Sequence, residues 1–137
     1  MNELRLKRYH DKINYIIDNI KDLPIKSKNI LETRGIFYSL QTSIESMVDL
    51  VAMLIKDLGV QVKDDEINID NLIKEKDLNL ELGKKLKSAN GLRNILVHRN
   101  NKVDDQIVLD SVEEIKSLLS EWLDIIEDGL NDITNNE

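Results

Sequence analysis

FYSLQTSIESMVDLVAMLIKDLG, residues 37–59, decides the fold class. Phe37, Leu40, Ile44, Met47, Val51, Leu54 and Leu58 recur at alternating steps of three and four. That spacing lays their side chains along one face of a helix as a heptad-like seam. Gly59 follows where left-handed backbone commonly closes a helix. The helix is expected to begin after Ser27, and it is the longest apolar element of the chain.

The same helical period extends to either side. Tyr9, Ile13, Ile16, Ile17 and Ile20 predict a first helix over residues 3–22, with Pro24 just beyond it. Residues 60–70 are acidic and read as a loop, followed by a short helix near 71–76. Asn79 is a candidate cap for a fourth helix carrying Leu82, Leu86, Ala89 and Leu96, with Arg93 intruding on that apolar stripe. Asn100-Asn101 makes a turn. Asp104 or Asp105 then caps one long last helix with Val108, Val112, Ile115, Leu119, Trp122, Ile126 and Leu130 inside. The polar stretch after Asn131 reads as fraying. The expectation is an all-α, up-down bundle of four to five helices, one domain over residues 1–133 with a loose tail at 134–137.

Composition agrees. In 137 residues there are only five Gly and one Pro, too few turn-makers for many short strands. No cysteine is present, so disulfides, thiolate metal sites and cysteine nucleophiles are excluded. The longest apolar stretch, residues 47–55, is broken by Asp49 and too short to span a bilayer. With no leader-like N-terminus, the chain is expected to be cytoplasmic and away from membranes. Two long helices with such seams can face more than one neighbour. A two-fold homodimer is the commonest outcome, and a closed monomeric bundle is the other.

Charge is uneven. The chain carries 26 Asp and Glu against 19 Lys and Arg, for a formal −7. Residues 83–102 nevertheless hold Lys84, Lys85, Lys87, Arg93, Arg99 and Lys102 and no acid. Such a run in an acidic protein suggests a local phosphate site. The acids of residues 64–70 and of the last helix are expected to lie elsewhere and confine an anionic ligand to it. Within the run stands His98, one of two histidines. The other, His10, has no obvious partner and reads as a surface residue.

Five helical steps from Arg93 to His98 turn the direction by roughly 140° and rise about 7.5 Å, so the two side chains do not stack. Asn94 and His98 are the i, i+4 pair, and Asn94 is a candidate to orient the imidazole. A histidine can take a proton from one oxygen and return it to another. An arginine fork matches a phosphate and stabilises charge developing on it. Those two groups suffice for attack of an RNA 2′-hydroxyl on its neighbouring phosphate, with no metal or cofactor required. The competing reading is of two cations favoured by a helix C-terminus.

Leu92-Arg93-Asn94-Ile95-Leu96-Val97-His98-Arg99 resembles the R-N-x-L-V-H signature of HEPN domains, and among them the HepT-like toxins. Tyr9 and Ile13, then Arg34, Leu40, Glu45 and Asp49, and the entry at residues 103–107, are also similar to that family's layout. The resemblance implies a HEPN-like bundle and a homodimer with a metal-independent ribonuclease site near its interface. It assigns phosphate stabilisation to Arg93, acid/base work to His98 and support to Asn94; the basic run itself offers Lys84, Lys85, Lys87, Arg99 and Lys102 as contacts to the RNA phosphates. It also implies a cognate minimal nucleotidyltransferase antitoxin, which in some relatives adds AMP to a tyrosine two residues after the histidine. Here that position is Asn100, so this modification has no acceptor. The alternative is a non-catalytic HEPN module that binds a nucleotide or a nucleotidyltransferase.

Overall fold

The computed structural model describes residues 1–98 and 104–137. Among them are six α-helices and no strand: α1 (Glu3–Asp22), α2 (Ile30–Asp57), α3 (Asp65–Glu75), α4 (Leu80–Val97), α5 (Asp105–Asp110) and α6 (Val112–Asn135). No helix among the described residues is long and apolar enough to cross a membrane.

The seam of α2 is the axis of the bundle. Phe37, Leu40, Ile44, Met47, Val51 and Leu54 are all buried, and α2 packs against each of the other five helices. Each aliphatic side chain so enclosed contributes about 1.5–3 kcal/mol relative to exposure. The seam from Phe37 to Leu54 is thus consumed within one chain. Asn29 caps α2 by accepting from the Glu32 amide at 2.9 Å, and Gly59 ends it at φ +81°. A residue with a Cβ would be strained at that φ.

Helix α1 runs antiparallel to α2. The Tyr9 hydroxyl donates to Asp57 at 2.6 Å near one end, and Asn19 donates to Ser43 at 3.0 Å near the other. Arg5 joins the first contact, with its Nε 3.0 Å from Asp57 and its guanidinium over the Tyr9 ring. Burial, then the bond to Asp57, push the Tyr9 phenol well above the usual tyrosine range. Ile17, assigned to the apolar stripe, is instead partly exposed.

Two boundaries differ from the sequence reading. Helix α3 begins at Asp65, inside the stretch expected to be loop, because Asp64 accepts from the Ile67 amide at 2.9 Å. Asn68 fixes that entry by bonding both the amide and the carbonyl of Lys63. The last helix is two helices, broken at Ser111, whose hydroxyl donates back to the Ile107 carbonyl at 2.9 Å. Val108, Val112 and Ile115 keep helical spacing across the break and are all buried, so the pattern conceals it. The second piece continues to Asn135, beyond Asn131.

Helix α4 starts at the expected cap, with Asn79 accepting from the Glu81 amide. Trp122 of α6, fully enclosed, donates its indole N–H to the Leu82 carbonyl at 3.2 Å. Leu92 of α4 and Ser111 at the head of α6 line one groove. The Lys116 ammonium of α6 reaches the Leu23 carbonyl at the end of α1. The C-terminal part of α4, α5 and the start of α2 therefore share one end of the bundle.

Candidate functional site

The residues singled out in the sequence lie on the last turns of α4. His98 is the C-cap of that helix, at φ −96° and ψ 43°, with its amide donating to the Asn94 carbonyl at 3.1 Å. Its side chain is exposed, and no hydrogen bond engages the imidazole among the described residues. Arg93, one and a half turns earlier, is mostly covered. Its Nη1 donates to Asn94 Oδ1 at 2.9 Å. Asn94 therefore braces Arg93, and the expected link from Asn94 to the imidazole is absent among the described residues.

The other edge of the Arg93 guanidinium is differently placed. Nη2 lies 3.8 Å from Asp65 Oδ2, an ion pair too long for a hydrogen bond. Nε is buried without a partner among the described residues. One turn before, Asn90 is buried and donates Nδ2 to the same Asp65 oxygen at 3.3 Å, while its Oδ1 has no partner among the described residues. Nε and Nη2 form the side-on edge of the fork, the pair of parallel donors that grips two oxygens at once. That edge makes no hydrogen bond to any described residue.

Asp65 and Asn90 were not foreseen. An acid in the first turn of a helix ordinarily reads as dipole stabilisation. Only the antiparallel lie of α3 on α4 brings it to Arg93. The same packing corrects the expected separation of charge. Asp70 of α3 pairs with Lys87 at 2.8 Å, and its hydrogen bond holds that ammonium above the usual lysine range. The acids of α3 thus lie directly on two cations of the basic run.

The lysines do not form one surface. Lys87 faces α3, whereas Lys84 and Lys85 line a groove of about 350 Å³ against Ser111 and Glu114 of α6. Lys84 lies 3.7 Å from Glu81, one turn away on its own helix. Arg99 and Lys102, the other candidate phosphate contacts, and Asn100, the position of the missing tyrosine, lie outside the described residues. Among the described residues no three His, Cys, Asp or Glu side chains gather as a metal site.

The family model described as Ribonuclease HepT-like matches residues 6–126, from α1 into α6. The chain belongs to the HepT-like ribonuclease family. A protein of Archaeoglobus fulgidus named "Putative RNase" is 47% identical over 130 residues, covering 95% of this chain and 98% of its own. A second protein of that organism and the same name is 33% identical over 123 residues, covering 89% and 90%. The solved structure of a toxin-antitoxin with AMP-PNP matches with a TM-score of 0.79 over 92% of this chain and 99% of its own. Its sequence is 20% identical, so this likeness is one of fold. Family and fold agree with the HEPN resemblance carried by residues 92–99.

Proposed function

We propose that this HepT-like chain is a metal-independent endoribonuclease toxin with Arg93 and His98 as its catalytic residues. The observation that carries the reading is the pairing of an exposed imidazole at the end of α4 with the side-on edge of an arginine, neither of which makes a hydrogen bond to the described residues. In the reaction, His98 takes the proton of an RNA 2′-hydroxyl as its oxygen bonds to phosphorus. The bond from phosphorus to the 5′-oxygen breaks, and the proton passes to that leaving oxygen. Arg93, braced by Asn94, stabilises the charge on the phosphoryl oxygens. Neither role calls for a metal or cofactor. Lys84, Lys85, Arg99 and Lys102 hold flanking phosphates, and Lys87 acts there only after leaving Asp70.

Under this reading the site works in a two-fold homodimer. Its support is apolar surface on the last turn of α4 before His98: Ile95 and Val97 are 53% and 43% exposed. The partner is a nucleotidyltransferase antitoxin, which fits a fold shared with a toxin-antitoxin holding AMP-PNP. With Asn100 at the tyrosine position, the partner neutralises by binding. The place of action is the cytoplasm, where its RNA resides.

The product ends test the chemistry. Attack by the 2′-oxygen leaves a 2′,3′-cyclic phosphate and a 5′-hydroxyl, and a substrate with 2′-deoxyribose at the cut position stays whole. Cutting of that deoxy substrate would contradict the mechanism.

A second reading has an observation of its own. Arg93 already faces a carboxylate, and no side chain among the described residues sets the His98 tautomer. A non-catalytic module that binds a nucleotide or the nucleotidyltransferase fits those facts. It predicts salt-sensitive binding of ATP or partner without turnover of RNA.

A further inference from the structure

Arg93 meets a carboxylate where the proposed reaction needs it to meet a phosphate. Asp65 Oδ2 stands 3.8 Å from Nη2, and the neighbouring Nε is buried with no partner among the described residues. A phosphate gripped by Nη2 would occupy the place that Asp65 now holds. We propose that Asp65 is a positioning residue that stands in for the substrate phosphate on Arg93 and yields Nη2 when RNA binds. The inference rests on the reading of Arg93 as the phosphate contact.

Three observations make Asp65 a displaceable stand-in rather than a permanent partner. Its contact with Arg93 is too long for a hydrogen bond, so the pair is loose. Its carboxylate is partly exposed, with water available when it leaves. Its bond to Asn90 is a single one, at 3.3 Å. Asn90 also offers a way to settle Arg93. The unmet Asn90 Oδ1 accepts and the unmet Arg93 Nε donates, one helical turn apart on α4. A small rotation of either side chain, once Asp65 has gone, closes that bond and keeps Nη2 aimed at the phosphate. The free protein thereby holds its arginine neutralised and ready, and non-specific anions must compete with Asp65 for it.

The test is binding of a short 2′-O-methyl RNA, which has no 2′-hydroxyl to attack, as a function of salt. Asp65→Asn should lower Kd by about two- to five-fold, the range expected for removing one partly exposed competing charge. The slope of log Kd against log salt should stay that of the parent, since Arg93 engages the phosphate in both complexes. Asp65→Ser, also tolerated in the first turn of a helix, should do the same. In an Arg93→Ala background both gains should vanish. Equal or weaker binding in the folded Asp65 variants overturns the proposal, and so does a gain that persists without Arg93. Because this probe is not cleaved, failure of the ribonuclease reading shows separately, in assays with unmodified RNA.

Discussion

His98 and Arg93 carry different burdens, and their substitution separates chemistry from structure. The imidazole is exposed and unengaged among the described residues, so His98→Ala should leave the thermal midpoint within about 1–2 °C, as for most surface changes. Cleavage of RNA should fall by about 10²–10⁴-fold, the usual worth of a general acid/base. Arg93→Ala should cost about 10²–10³-fold as well. The intrusion of Arg93 on an apolar stripe is visible in the sequence. Its environment is not, because Asp65 is 28 residues away and becomes a neighbour only when α3 folds onto α4. At the far end of the bundle, Tyr9 makes a purely structural prediction. Its phenol stays protonated in the folded chain to a higher pH than in the unfolded one. The unfolded state therefore gives up the proton first, and stability is lost as pH rises above about 10. Tyr9→Phe should remove that alkaline loss and lower stability at neutral pH by about 1.5 kcal/mol, measured by urea unfolding.

At the scale of elements, two glycines in helices should respond oppositely to alanine. A Cβ at Gly129 of α6 meets Leu54 Cδ2 at 2.7 Å, and Leu54 is fully enclosed. The clash exceeds the gain in helix propensity, and Gly129→Ala should destabilise by about 1–3 kcal/mol. Gly35 of α2 has nothing within 4 Å of its would-be Cβ. Gly35→Ala should stabilise by about 0.5–1 kcal/mol in the same melts. Helix ends show why some boundaries are legible and others are not. Asn79 stands alone before an apolar run and reads as a cap. Asp64 is embedded in an acidic cluster, Asp64-Asp65-Glu66, where repulsion suggests loop. The capping bond and the Asn68 clamp overcome it. The break at Ser111 is silent because buried residues on both sides keep one period.

At the scale of the molecule, the all-helical bundle follows from the α2 seam, whose residues from Phe37 to Leu54 are buried as their spacing requires. What spacing does not reveal is which surfaces remain. The seam is closed within the chain, and apolar surface persists beside the candidate site at Ile95 and Val97. A two-fold dimer joined there should dissociate on Ile95→Glu, in sedimentation, with loss of cleavage and an unchanged helical spectrum. A monomeric parent that cleaves RNA would remove the dimer from the account.

The most direct measurement is incubation of the purified protein with total tRNA in EDTA, beside its His98→Ala variant. The account predicts cleavage by the parent alone, ending in cyclic phosphates. Intact tRNA with the parent, or equal cleavage by the variant, would contradict it.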